Sequence, residues 1–238
     1  MSVDLKKIGT EYRNQKTMNI DKMSTLEIVK TINDEDKTVA FAVEKATEQI
    51  AKLVDEIAKK LEDGGRLIYL GAGTSGRIGI MDAVECGPTF SVPDDMVQCL
   101  MAGGTKAMVK AVEGAEDSQA LAVKDLQTIH LTNKDVVVGI TASGRTPYAI
   151  GGITYALEVG ASTGCITTSP HSEIAKLVAF PIEAITGAEP ITGSTRMKSG
   201  TAQKMICNIL TTASMIKLGK VYENLMIDVQ ATNEKLVK

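Results

Sequence analysis

Polar and apolar positions divide the chain into a polar start, a helical stretch and a long alternating region. The first 23 residues are polar and show no period, so we predict an arm that is partly disordered until a partner chain orders it. Ser24-Thr25-Leu26-Glu27 has the spacing of a capping box and predicts a short helix. From Asp36, apolar residues recur every three or four positions up to Gly64-Gly65. This period predicts one long amphipathic helix, packed either on the core or on another subunit.

Five short apolar runs follow, separated by helical patterns. The predicted strands are Leu67–Leu70, Val97–Ala102, Val136–Ile140, Gly164–Thr167 and Val178–Ile182. The predicted helices between them are Ile78–Val84, Ala107–Val112 with Gln119–Ile129, Tyr148–Val159 and Glu173–Leu177. This alternation favours an α/β fold with a doubly wound, five-stranded parallel sheet. We therefore divide the chain into residues 1–35, the arm and short helix, and 36–238, the α/β domain.

The loop after the first strand, Gly71 to Gly76, matches G-x-G-x-x-G and opens a helix. A dinucleotide site would also need an acidic residue at the end of the second strand, but that strand runs into Gly103-Gly104. The hydroxyls within the loop favour a phosphate monoester bound at a helix N-terminus. An ordinary structural turn is the alternative. The candidate phosphate contacts here are Gly73, Thr74, Ser75 and Gly76.

A second loop of the same kind follows the third strand, from Thr141 to Pro147. Ser143, Gly144 and Thr146 are its candidate phosphate contacts, because hydroxyls and backbone N–H groups at a helix start favour an anion. Ser and Thr are also common helix caps, which is the structural alternative. In a doubly wound sheet such loops meet outside the carboxyl ends of the strands, so the pair predicts a site for a phosphorylated small molecule.

A third segment opens the last long helix and adds the candidate contacts Ser194, Thr195, Arg196 and Lys198. Cations at a helix N-terminus interact unfavourably with the helix dipole, so a nearby negative charge is expected to compensate them. They either bind an anionic ligand or pair with carboxylates such as Glu183 and Glu189. The sequence leaves both possibilities open.

Two glutamates are candidate catalytic acids or bases. Glu85 precedes Cys86-Gly87-Pro88, which predicts the last turn of its helix, a position that suits a general acid. Ten helical residues separate it from Ser75, which is about 15 Å and more than a hexose phosphate spans comfortably. Either the helix bends or is shorter than predicted, or another subunit completes the site. Glu116 lies at a helix junction that Asp117 or Ser118 caps. A solvated surface glutamate is the more ordinary interpretation of that position.

Composition narrows the chemistry. A net charge of −3 and a pI near 5.6 give no field that would attract nucleic acid or an anionic membrane. The four cysteines are far apart, which favours reduced thiols in the cytoplasm. With two isolated histidines and 3% aromatic residues, neither a histidine metal site nor base stacking is supported. We expect a cytoplasmic protein with no metal or redox cofactor.

Five segments resemble the N-acetylmuramic acid 6-phosphate etherases, a family of the sugar isomerase (SIS) superfamily. The matching segments are GRLIYLGAGTSGRIGIMDAVECGPTF, AVEGAEDSQ, DVVVGITASGRTPYAIGG, ITGSTRMKSGTAQK and KVYENLMIDVQATNEKL. The resemblance runs from about Asp21 to the end of the chain. It departs from the family where Cys86-Gly87-Pro88 replaces Cys-Pro-Pro, and family members usually continue for several tens of helical residues beyond the equivalent of Lys238.

The resemblance implies a flavodoxin-like SIS domain with an N-terminal helical extension, and a homodimer with sites near the subunit interface. It implies cleavage of the D-lactyl ether of N-acetylmuramic acid 6-phosphate to N-acetylglucosamine 6-phosphate and D-lactate, in the recycling of cell-wall sugars. Glu85 then corresponds to the proton donor and Glu116 to the second catalytic glutamate.

Two other functions share this fold. One is a sugar-phosphate sensor that resembles the glucokinase regulatory protein, and the other is an aldose–ketose isomerase. The presence of both Glu85 and Glu116, and a chain too short for a duplicated domain, favour the etherase over the sensor.

Overall fold

A parallel sheet forms the centre of the computed structural model, which describes residues 11–110 and 112–227. Its strands are β1 (Leu67–Gly71), β2 (Val97–Met101), β3 (Val136–Ile140), β4 (Ser162–Thr167) and β5 (Phe180–Glu183). They lie in the order β2-β1-β3-β4-β5, and every neighbouring pair is parallel. The predicted five-stranded, doubly wound sheet is confirmed. Strand order reverses between β1 and β3, where such sheets bind ligands.

Helices cover both faces of the sheet. They are α1 (Thr25–Glu44), α2 (Thr47–Glu62), α3 (Gly73–Phe90), α4 (Lys106–Val109), α5 (Gln119–Thr128), α6 (Pro147–Val159) and α7 (Lys198–Lys217). Alternate side chains of β1 point to opposite faces: Tyr69 packs with α2, α3 and α7, whereas Leu70 packs with α5 and α6. A small hairpin, β6 (Val221–Tyr222) and β7 (Leu225–Met226), follows α7.

The predicted long helix is wrong in one respect, because two helices carry its apolar stripe. α1 starts at the predicted capping box, where the Glu27 carboxylate accepts from the backbone N–H of Ser24, and it runs past residue 35 to Glu44. A turn at Ala46 then separates it from α2. The Thr47 hydroxyl donates to the Glu44 carbonyl (2.8 Å), and Ala46 is 1% exposed. The turn keeps the stripe on the core, which is why the periodicity does not reveal it.

The described part of the polar arm, residues 11–23, is attached to its own chain. The Thr17 hydroxyl donates to the Pro190 carbonyl (2.8 Å) in a buried contact, and the Asn14 amide donates to Glu35 (2.8 Å). The prediction that a partner chain orders the arm is therefore wrong for these residues. Residues 1–10 lie outside the described part of the chain.

Candidate active site

A cavity of about 390 Å³ lies beyond the carboxyl ends of β1 and β3. This volume is typical of small-molecule sites. All three predicted phosphate segments contribute to its wall, and Glu116 lines it as well. The predicted residues that the structure brings together here are Gly73, Thr74, Ser143, Thr146, Thr195 and Glu116.

The first loop turns directly from strand to helix. Ala72 has an extended backbone, and α3 begins at Gly73, whose φ is +54°. Gly76 is buried, and a Cβ there would lie 2.8 Å from the Gly71 carbonyl oxygen and 2.7 Å from Met101 Cγ. Close packing of α3 on β1 and β2 therefore explains this glycine, and Gly73 with Thr74 forms the part of the loop that faces the cavity.

Ser75 points towards α7 instead. Its hydroxyl donates to the side-chain oxygen of Gln203 (2.9 Å), a residue that is 1% exposed. The contact joins the start of α3 to the first half of α7. Ser75 thus has a structural partner, and it is absent from the residues that line the cavity.

In the second loop, hydroxyls surround the start of α6. Thr141 and Thr146 share a hydrogen bond between their hydroxyls (2.8 Å), and Ser143 Oγ accepts from the backbone N–H of Arg145 (3.3 Å). Pro147 is the first residue of α6, as predicted. Gly144 has a φ of +69° and packs so tightly that a Cβ would clash with Ser172. It shapes the loop, whereas Ser143 and Thr146 line the cavity.

The start of α6 also positions Glu116. The backbone N–H of Tyr148, which has no partner within its helix, donates to the Glu116 carbonyl (2.9 Å). Ser118 caps α5 by accepting from the backbone N–H of Leu121 (3.1 Å), so the second of the two predicted caps is the observed one. Glu116 is solvent-exposed, yet its position at the α6 N-terminus places it on the wall of the cavity.

The start of α7 is occupied by a carboxylate of the same chain. Glu189 is fully buried and accepts from the backbone N–H groups of Lys198 and Ser199 (both 2.9 Å). The Lys198 ammonium lies 2.8 Å from Glu35 on α1. Burial raises the pKa of Glu35, but hydrogen bonds from Lys198, Lys16 and Asn14 outweigh burial and lower the pKa to about 2. Lys198 therefore pairs with a carboxylate, although Glu35 was not one of those that the sequence suggested.

The remaining predicted contacts lie outside the lining of this cavity. Ser194 is partly exposed in the turn before α7, and its backbone N–H donates to the Ile191 carbonyl (3.0 Å). Arg196 is exposed to solvent. Thr195, which lies between them, is the residue of this turn that reaches the cavity together with Gly193.

Glu85 is exposed on the outer side of α3, away from this lining. The prediction that it ends its helix is wrong, because α3 runs five residues further to Phe90 with Pro88 inside it. Burial of Cys86 and Phe90, one helical turn apart, stabilises this last segment despite the N–H that proline lacks. Because α3 is continuous from Ser75 to Glu85, the predicted separation of these two residues still applies.

Three charged residues of the cavity wall were not selected from the sequence. Glu11 comes from the polar arm, where no period marks it, and its carboxylate lies 3.2 Å from where a Gly193 side chain would begin. Asp117 lies beside Glu116, and Arg145 lies inside the second loop. Arg145 is visible in the loop sequence, but only the fold places it on the wall of the cavity.

A buried carboxylate fixes α3 against α7. Asp82 is 3% exposed and accepts hydrogen bonds from Asn208 (2.7 Å), Tyr69 (3.1 Å) and Thr211 (3.2 Å). Burial raises the pKa of Asp82 even though these hydrogen bonds oppose the shift. The network joins β1, α3 and α7 behind the loop that opens α3.

The chain is similar to curated proteins over almost its whole length. An N-acetylmuramic acid 6-phosphate etherase of Bacillus cereus (strain B4264) is 59% identical over 234 residues, which cover 98% of this chain and 80% of the relative. The chain belongs to the N-acetylmuramic acid 6-phosphate etherase family. A Bacillus mycoides (strain KBAB4) etherase is 58% identical over the same shares of both chains.

Profiles of two SIS domains match parts of the chain. The glucokinase regulatory protein N-terminal SIS domain matches residues 49–157, and the general SIS domain matches residues 108–213. The SIS assignment within the etherase family is therefore confirmed by sequence over the region that forms the sheet.

Solved structures confirm the fold at low sequence identity. A phosphoheptose isomerase from Francisella tularensis has a TM-score of 0.62 at 16% identity and covers 82% of this chain and 100% of its own. The Vibrio vulnificus NanR protein complexed with ManNAc-6P has a TM-score of 0.60 at 15% identity, covering 86% of this chain and 68% of its own. In the described residues of this etherase-family chain, no helix has the length and apolarity to cross a membrane.

Proposed function

We propose that the chain cleaves the D-lactyl ether of N-acetylmuramic acid 6-phosphate, giving N-acetylglucosamine 6-phosphate and D-lactate in the recycling of cell-wall sugars. One observation carries the proposal: Glu116 shares a cavity with two hydroxyl loops at helix starts, in a chain 59% identical to etherases. The separated cysteines favour the cytoplasm as the place of the reaction.

The phosphate group is proposed to lie at the starts of α3 and α6. Thr74, Ser143 and Thr146 line the cavity at this point and carry hydroxyls, and the dipoles of both helices favour negative charge there. Helix dipoles alone contribute only about 1 kcal/mol each. Hydroxyl donors on both loops are therefore needed, and both loops supply them.

The chemistry requires two proton transfers. In the open-chain sugar the C1 aldehyde acidifies the C2 hydrogen, so a carboxylate can remove the C2 proton while a protonated carboxyl assists departure of lactate from C3. Water then adds at C3 of the unsaturated aldehyde and restores a hydroxyl. We assign removal of the C2 proton to Glu116, because it lies in the same cavity as the phosphate loops, and proton donation to Glu85.

Glu85 reaches a site only if a second chain is present. It belongs to an exposed face of α3 whose members are spaced as one helical side, namely Met81, Val84, Glu85 and Pro88. Met81 and Val84 are 47% and 64% exposed, so this face is apolar as well as open. We propose that the face packs in a homodimer and that Glu85 enters the cavity of the partner subunit.

The activity is tested by incubating the purified chain with N-acetylmuramic acid 6-phosphate and measuring D-lactate. Release of D-lactate is the expected result. Tight sugar-phosphate binding without release would favour a sensor instead. Conversion of an aldose phosphate to a ketose phosphate would favour an isomerase.

The shared site predicts complementation between two inactive variants. Glu85→Gln and Glu116→Gln each remove one carboxyl, and a mixed dimer of the two would rebuild one intact site out of two. After co-refolding, half of the dimers are mixed, so we expect about a quarter of the wild-type activity. Each variant refolded alone serves as the control. A mixture as inactive as its parents would show that both glutamates of a site come from one chain.

A further inference from the structure

We propose that Arg145 binds the lactyl carboxylate of the substrate. This contact lets the site bind the ether in preference to its sugar-phosphate product. The inference rests on the proposed function, because it concerns a second anionic group of that substrate. N-acetylmuramic acid 6-phosphate carries a phosphate and a carboxylate, whereas N-acetylglucosamine 6-phosphate carries only the phosphate. A site that prefers the ether needs a group that recognises the carboxylate.

The charges on the cavity wall identify that group. Among the described residues that line the cavity, Arg145 carries the only positive charge, and Glu11, Glu116 and Asp117 carry negative ones. A substrate carboxylate placed among three carboxylates and no cation would be repelled. The guanidinium compensates for this repulsion and presents paired N–H donors that match the two oxygens of a carboxylate.

Arg145 is also free to take a ligand. Its present partner is Glu173, at 3.9 Å, and the two side chains are 33% and 59% exposed. Exposed ion pairs of this kind contribute little to stability, so exchanging Glu173 for a substrate carboxylate costs little. By contrast, the neighbouring Arg77 is engaged, since its guanidinium donates to the carbonyls of Ala107 (2.7 Å) and Met108 (3.0 Å).

The phosphate has other partners. The hydroxyls of Thr74, Ser143 and Thr146 supply donors to it, and the positive ends of the dipoles of α3 and α6 favour its charge. The backbone of Arg145 is fixed by its hydrogen bond to Ser143 (3.3 Å), which ties the guanidinium to the rim of the phosphate loop. The side chain extends from that rim and can therefore bind a second group of the substrate while the loop holds the phosphate.

The test compares one ligand that has the carboxylate with one that lacks it. In Arg145→Met we expect kcat/KM for N-acetylmuramic acid 6-phosphate to fall about 30-fold, as for loss of a charged hydrogen-bonded contact. The inhibition constant of N-acetylglucosamine 6-phosphate should change less than about twofold, because the phosphate contacts stay. D-lactate should also become a weaker inhibitor of Arg145→Met, because its carboxylate would bind the same guanidinium. Arg145→Lys keeps the charge but not the paired donors, so its kcat/KM for the ether should lie between those of the wild type and Arg145→Met.

Two control variants and two contrary outcomes complete the design. Glu173→Gln removes the present partner, and Lys176→Met removes an exposed positive charge nearby; both should behave as wild type. If Arg145→Met weakens binding of the ether and of the product equally, the guanidinium binds phosphate and the inference is wrong. If neither ligand is affected, Arg145 is not a ligand at all. Failure of the wild type to release D-lactate would instead overturn the proposed function.

Discussion

Replacing Glu116 by Gln is expected to lower D-lactate release by about 10³-fold, because positioned proton transfers are worth roughly 10²–10⁴-fold. The substitution keeps the size of the side chain and its place at the start of α6, where the backbone carbonyl accepts from Tyr148. It removes only the carboxylate that would take the C2 proton. The measurement is kcat for D-lactate release at saturating N-acetylmuramic acid 6-phosphate.

Proton exchange identifies the step that Glu116 serves. Incubated in D₂O, the wild-type protein should exchange the C2 hydrogen of the substrate, and Glu116→Gln should not. A variant that exchanged this hydrogen at the wild-type rate would show that another group is the base. Glu158→Gln is the control, since Glu158 is an exposed glutamate of α6 that lies outside the lining of the proposed sugar-phosphate cavity. It should leave both rates unchanged.

Glu116 shows how much of the candidate site the sequence predicts. Sequence patterns were sufficient for the sheet and for the loops that open α3 and α6, because buried parallel strands are continuous apolar runs and helix starts have recognisable residues. Glu116 was placed at a helix junction correctly. Its place on the cavity wall depends on the hydrogen bond between its carbonyl and the N–H of Tyr148, a residue 32 positions away. No local pattern shows this contact.

Other features have no local signal. The turn at Ala46 leaves the apolar period of α1 and α2 intact, and Pro88 suggested a helix end where burial of Phe90 keeps α3 going. Glu11 reaches the cavity because Asn14 and Thr17 attach the arm to Glu35 and Pro190. These contacts are between residues distant in sequence, and tertiary packing decides them rather than local propensity.

Replacing Lys198 by Met is expected to lower the free energy of unfolding by about 3 kcal/mol or more, as is typical when one partner of a buried ion pair is removed. The side chains of Lys198 and Glu35 are each 5% exposed, and their 2.8 Å contact joins α7 to α1. Without the ammonium, the Glu35 carboxylate stays buried, and its remaining partners among the described residues are Lys16 and Asn14. Urea denaturation of both proteins at pH 7 measures the difference.

Two further variants separate the buried pair from a general effect of lost charge. Lys217→Met breaks an ion pair to Asp55 of similar length, 3.0 Å, whose side chains are 50% and 69% exposed. That variant should lose no more than about 1 kcal/mol. The double variant Lys198→Met with Glu35→Met should be more stable than Lys198→Met alone, because no unpaired charge stays buried. Equal losses for Lys198→Met and Lys217→Met would contradict the prediction.

The same pair predicts a loss of stability in acid. Glu35 has a folded-state pKa of about 2 against an ordinary value of 4.5, so the folded state favours the ionised form. The contribution of Glu35 to stability is therefore complete above about pH 4.5 and is lost as the pH falls towards 2. The wild type should exceed Glu35→Gln in unfolding free energy at pH 7, and the gap should narrow between pH 4.5 and pH 2. A gap that stayed constant over that range would mean that Glu35 does not titrate with folding. The same carboxylate accepts from Asn14 of the arm that carries Glu11, so its protonation should also loosen this part of the wall of the proposed cavity over the same pH range.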